Sequence, residues 1–172
     1  VLEICLIFVD KCLKNNNQMG AHKLVMEQAL NKEIATFMKQ SNLYVASDSR
    51  KKAISYDEFL SDKMLIIMAI RAGIPYSLFK LIQTYTPFSE TDWATFLDIS
   101  TKSLQRYKTQ TTHSFKPLHS EKIIEMAEVT KVGLDVFGEM EKLKMWLNTP
   151  NYALGSHKPI SLLSDSYGKE LV

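Results

Sequence analysis

The chain has 172 residues with 45% hydrophobic residues, enough to bury one good core or two small ones, which excludes a wholly disordered protein. Its formal charge is only +2, so bulk charge offers no argument for nucleic acid and any basic footprint must be local. Glycine, at six residues, and proline, at five, are too scarce for a turn-rich β fold, and apolar residues recur at three- and four-residue spacing, so the expected class is all-α.

The opening VLEICLIFVD holds a short apolar run between acids, too short and wrongly flanked for a signal peptide or a membrane span. Cys5 and Cys12 fall seven apart in one helical segment, an awkward geometry for a bridge, which suggests buried thiols in a reducing, cytoplasmic setting. After the polar break KNNNQMG, the residues Met26, Leu30, Ile34, Phe37 and Met38 line one face of a helix of roughly twenty residues. Residues 41–52, SNLYVASDSRKK, read as a linker with a short extended piece at 43–45. A division follows: 1–52 an N-terminal helical extension and linker, 53–119 a DNA-binding domain, 120–172 a C-terminal domain.

The segment SDKMLIIMAIRAG predicts a buried helix capped by Ser61 or Asp62, with Gly73 taking positive φ at its end. Pro75 then opens PYSLFKLIQTY. The apolar stretches 64–70 and 78–82 suit either a core or a dimer interface, which the pattern alone does not separate.

From Phe88 the spacing becomes more specific. FSETDWATFLDISTKSLQRYKTQ offers a cap at Ser89, a short helix to Leu97, a turn at Asp98-Ile99, a cap at Ser100 or Thr101 and a second short helix to about Thr109. A helix-turn-helix needs a small residue where its helices touch, apolar inner positions and a turn residue tolerant of positive φ. Ala94, the set Trp93, Leu97, Ile99, Leu104 and Tyr107, and Asp98 meet those needs in turn. Ser100, Thr101, Lys102, Ser103, Gln105, Arg106 and Lys108 are left as candidate DNA contacts, all able to donate hydrogen bonds to bases or phosphates. Lys102, Arg106, Lys108, Lys116 and Lys122 face a single acid, Glu121, between positions 100 and 122. A helical hairpin with an ordinary solvated basic face would carry the same pattern. One recognition helix reads few base pairs, so a homodimer on two half-sites is expected.

A long helix from about Ser120 to Phe137 places Ile123, Ala127, Leu134 and Phe137 inward and ends at Gly138; a short helix from Glu139 leads to Trp146 and Leu147, with Trp146 read as core. In WLNTPNYALGSHKPISLL, residues 146–163, Pro150 stops the helix, Tyr152, Ala153 and Leu154 return toward the core, Gly155 allows a sharp turn, and Pro159 starts a helix whose Ile160, Leu162 and Leu163 need a partner surface.

No phosphate loop, HExxH or nucleophile elbow is present, so no enzymatic activity, cofactor or metal is expected. His22, His113, His119 and His157 are scattered; the pair at 113 and 119 reads as exposed or phosphate-facing loop histidines. Glu125 and Glu128 read as solvated helix carboxylates.

RAGIP at 71–75, LDISTKSLQRY at 97–107, VFG at 136–138, WLNTPNYALG at 146–155 and KPISLL at 158–163 together resemble the Xre/MbcA/ParS antitoxin family, over residues 71–172. The resemblance implies an Xre-type helix-turn-helix domain followed by a small helical toxin-binding domain. It further implies an antitoxin that inhibits a RES-domain, NAD-degrading toxin and represses its own operon by binding operator DNA. Asn151, His157, Lys158, Ser164, Asp165 and Tyr167 are then the polar candidates for toxin contact. In that family the chain continues past the glycine matched by Gly168 into a further helix, whereas this sequence stops at Leu171-Val172, so part of the toxin-contacting tail is expected to lie outside it. A stand-alone dimeric helix-turn-helix repressor without a toxin partner is the alternative.

Overall fold

The computed structural model describes residues 24–43, 54–110 and 112–172. The opening apolar run, both cysteines, His22 and the extended piece beyond Leu43 lie outside the described residues. Within them the protein is all-α, with isolated bridges at Pro75–Ser114 and Asn151–His157 and no strand.

The first helix, α1, covers residues 24–40 and buries Leu30, Ile34, Phe37 and Met38, the face its spacing predicts; Met26 is half-buried. It is tied to the body by Asn31, whose side-chain carbonyl accepts from the Tyr56 amide at 2.6 Å, and by Glu27, which accepts from the Tyr85 hydroxyl at 3.2 Å. Helix α2 spans Tyr56–Ser61 behind a capping box made by Ser55 and Glu58. Helix α3, Lys63–Ala72, is capped by Asp62, which accepts from the Leu65 amide; Ser61 instead ends α2. The expectation that α3 is buried throughout holds for one face only. Leu65, Ile66 and Ala69 are inside, while Met64 and Ile67 are 61% and 41% exposed, because a surface helix has only one stripe to give to the core.

Helix α4, Tyr76–Tyr85, follows Pro75, which sits at the N-cap. The turn before it is stitched to the start of α7, Pro117–Phe137. Phe115 donates to the Ile74 carbonyl at 2.8 Å, Tyr76 donates to the His113 carbonyl at 2.9 Å, and the fully buried Ser120 hydroxyl accepts from Ile74 and donates to the Phe115 carbonyl. Gly73 has a φ of 85°, and a Cβ there would stand 2.6 Å from the Phe115 carbonyl oxygen. That close passage accounts for the glycine in RAGIP.

Helices α5, Glu90–Phe96, and α6, Thr101–Thr109, match the expected limits to within a residue, with caps at Ser89 and Ser100 and Asp98 at a φ of 50°. Trp93 is fully buried among Phe79, Phe88 and Phe96, at ring-centroid separations of 5.1, 6.0 and 6.2 Å in edge-to-face geometry. Such pairs each add about 0.5–1.5 kcal/mol beyond simple burial.

Helix α7 begins at Pro117, three residues before the expected start, and packs against α2, α3, α4 and α8 (Met140–Leu147). Ile123 and Ala127 are fully buried; Leu134 and Phe137 are half-buried, packed against the edge of the core. Gly138 ends it in the left-handed conformation, at a φ of 73°. The chain closes with a 3-10 turn, Tyr152–Leu154, and two short helices, α9 (Pro159–Leu162) and α10 (Ser166–Leu171). One contiguous core runs from α1 through α8 to Leu163.

Candidate functional site

Two faces of this body carry the residues singled out by the sequence. On the first, α6 turns Leu104 inward and leaves Lys102, Gln105, Arg106 and Lys108 exposed. Ser100 and Ser103 are committed to the helix start: the Ser100 hydroxyl oxygen accepts from the Ser103 amide at 3.1 Å, and the two hydroxyls lie 3.0 Å apart. Thr101 is half-buried. The Arg106 guanidinium lies over the Tyr107 ring, 5.6 Å from its centroid, which restricts the arginine to the side of the α6–α7 connection.

That connection corrects one reading. His113 is half-buried rather than exposed. Its ring stacks on Tyr107 at 3.7 Å and meets Phe115 edge-on at 4.9 Å, with Nε2 buried and without a hydrogen-bond partner. Burial, then the nearby charges of His119 and Arg106, holds its pKa below the usual histidine value. Among the described residues no cluster of histidine, cysteine and carboxylate side chains could hold a metal ion, and no helix is long and apolar enough to cross a membrane.

The second face is built by α7, α8, α9 and α10. Two glycines set its packing. A Cβ at Gly133 would come within 2.5 Å of a Leu143 methyl, and one at Gly168 would strike the Leu162 carbonyl oxygen. Glu125 and Glu128 are not solvated carboxylates. Glu125 pairs with Lys122 at 2.7 Å, while Glu128 accepts hydrogen bonds from Lys63 of α3 and from Lys169 of α10, the latter at 2.8 Å. Partial burial raises the Glu128 pKa, but the hydrogen bonds and charges of Lys169 and Lys63 outweigh it and leave the carboxyl below its ordinary value.

Between α7 and α8 lies a groove of about 580 Å³ lined by Val132, Val136, Phe137, Leu143 and Trp146, with Lys63, Lys131 and Lys169 at its edges. Trp146 is therefore half-buried. It packs against Phe137 at 5.4 Å and also lines the groove, rather than being enclosed in the core.

The six polar candidates divide into two groups. Asn151 is a building residue: its side chain accepts from the Ala153 amide, and its backbone pairs with that of His157. His157 and Lys158 are exposed beside it. Ser164 is half-buried, and Asp165 and Tyr167 stand exposed at the start of α10, Tyr167 at 84%. Among the described residues no hydrogen bond or ion pair joins the two groups. Tyr152 is the clear miss. It does not return to the core but is 94% exposed; Ala153 is exposed as well, and Leu154 is half-buried. The Asn151 side chain bonds ahead to Ala153 and so turns the chain outward, a local device that the run of apolar letters hides.

The chain is all-α and closes in a small helical unit that carries an apolar groove and two exposed tyrosines, and it is this unit that the comparison with known families picks out. Residues 133–172 match the family described as Antitoxin Xre/MbcA/ParS C-terminal toxin-binding domain. The match begins inside α7, at Gly133, the residue that lets α8 approach. The resemblance carried by WLNTPNYALG and KPISLL is thereby borne out for the C-terminal segment. The chain matches no curated protein.

Proposed function

We propose that the protein is the antitoxin of a toxin–antitoxin pair, that its partner is a RES-domain NAD-degrading toxin, and that it represses its own operon as a homodimer on operator DNA. The observation that carries this reading is the presence, in one chain, of a toxin-binding domain at residues 133–172 and a pair of short helices whose second member leaves Lys102, Gln105, Arg106 and Lys108 open. In this reading α5 and α6 form a helix-turn-helix, α6 enters the major groove, and residues 53–119 and 120–172 are its DNA-binding and toxin-binding parts. Arg106 is suited to guanine and Gln105 to adenine, while Lys102 and Lys108 fit phosphate.

The exposed pair Met64 and Ile67 on α3 supports a second copy docking there; Leu78, Phe79 and Ile82 are core and offer no surface. The chain itself catalyses nothing in this scheme and acts in the cytoplasm by occupying its partner. Co-expression with the product of the adjacent reading frame tests it: the account expects the two to co-purify, the complex to retard promoter DNA, and growth arrest by the partner alone to be relieved. A chain that retards promoter DNA but neither captures nor relieves the neighbouring product would leave a plain repressor.

A further inference from the structure

The segment Asn151–His157 is a rigid mount for one side chain. Asn151 anchors both ends: its amide donates to the His157 carbonyl at 3.0 Å, its carbonyl accepts from Ser156 at 2.9 Å, and its side chain accepts from Ala153 at 3.0 Å. The Gly155 amide closes the 3-10 turn on the Tyr152 carbonyl at 3.1 Å. Gly155 and Ser156 both adopt positive φ, 64° and 63°, and for Ser156 that conformation is intrinsically unfavourable, so the surrounding bonds must hold it. At the head of this turn Tyr152 is 94% exposed, and among the described residues it has no ring partner and no side-chain hydrogen bond.

A large aromatic held fully in water contributes nothing to the fold that carries it. The same ring on a pre-ordered loop is well suited to binding, because it has two side-chain torsions to freeze and its backbone is already fixed. Aromatic anchors of this kind are where interface energy concentrates. We propose that Tyr152 is the anchor of the toxin interface: a phenol ring inserted into a pocket on the partner protein, flanked by the exposed His157 and Lys158 as a polar rim. The inference rests on the toxin-binding reading of residues 133–172 and adds the residue that carries the contact.

The test is a binding titration of the full chain against the protein encoded by the adjacent reading frame, with Tyr152→Ala, Tyr152→Phe and, as a probe of the α7–α8 groove, Val136→Asp. Tyr152→Ala is expected to weaken binding at least thirtyfold, about 2 kcal/mol, with no change in thermal midpoint, and Tyr152→Phe to stay within about tenfold of the unsubstituted chain. Equal affinity of Tyr152→Ala and the unsubstituted chain would overturn the proposal, and loss confined to Val136→Asp would move the interface to the groove. A loss in Tyr152→Phe as large as in Tyr152→Ala would overturn the ring as the anchoring group. Absence of binding by the unsubstituted chain would instead defeat the toxin-binding reading itself, a result distinct from the others.

Discussion

The imidazole of His113 lies flat on the phenol of Tyr107, ring centroids 3.7 Å apart and planes 10° apart. This contact pins the last turn of α6 to the connection that follows it, and the His113 carbonyl in turn accepts from Tyr76 of α4. The orientation of Arg106 and Lys108 therefore depends on a residue outside their helix. Because burial lowers the His113 pKa below its ordinary 6.5, the folded state binds fewer protons than the unfolded chain just below that value. Its contribution is complete above about pH 6.5 and is lost as pH falls toward the lowered folded value. His113→Phe keeps a ring on Tyr107 and removes the proton. Urea midpoints at pH 5 and pH 7.5 should therefore separate more for the unsubstituted chain than for His113→Phe.

Operator binding, if α6 is the reading helix, should fall steeply with salt. Arg106→Ala should cost about 1–3 kcal/mol and relax specificity at one position, while Lys102→Ala and Lys108→Ala should each weaken all sequences alike and reduce the salt slope by about one. Fluorescence anisotropy over a salt series measures both. Unchanged promoter affinity in the triple alanine variant of Lys102, Arg106 and Lys108 would remove α6 from the interface.

Glu128 joins Lys63 of α3 to Lys169 of α10. Its lowered pKa means that this link is fully formed above about pH 4.5 and is lost as pH falls through the folded value. Glu128→Gln should cost about 1 kcal/mol at neutral pH, the upper range for exposed pairs, and should flatten the acid limb of the stability curve. Amide exchange in residues 166–171 should rise in that variant while exchange in α3 stays near its original rate, since α3 has a buried face of its own.

The two packing glycines should respond unequally to alanine. At Gly133 the added methyl meets the flexible end of Leu143, so overpacking of about 1–3 kcal/mol is offset by a helix-propensity gain of about 1 kcal/mol. At Gly168 it meets a backbone carbonyl that cannot yield. Gly133→Ala should remain folded with a modestly lower thermal midpoint, whereas Gly168→Ala should detach α10, visible as loss of exchange protection confined to the C-terminal helix.

How far the sequence could be read follows from the range of each interaction. The limits of α5 and α6 were legible because Ser89, Asp98 and Ser100 act on residues within three positions of themselves. Asp62, Gly138 and Pro159 are local in the same sense. The inward and outward faces of α3 were not legible, since nearly every position is apolar and only the partner helix decides which half is covered. His113 and Glu128 were misread for a related reason. The ring contact spans six residues across a turn, and the lysines that pair with Glu128 come from positions 65 before and 41 after it, distances at which no spacing rule operates. Tyr152 was lost to a different effect: Asn151 sets the direction of the turn through one side-chain hydrogen bond, and the apolar letters after it say nothing of where they point. The segment that matches the toxin-binding family was legible through its ordered motifs, while the exposure of its individual side chains is set by packing and becomes visible only in the fold.

The central claim is that this chain neutralises a co-encoded NAD-degrading toxin by binding it. The most direct measurement is the rate of NAD consumption by the product of the adjacent reading frame as the purified full chain is titrated in. The account predicts a rate that falls with added chain and is abolished once the toxin is saturated, with Tyr152→Ala requiring far higher concentrations. An unchanged rate in the presence of a large excess of correctly folded chain would contradict it.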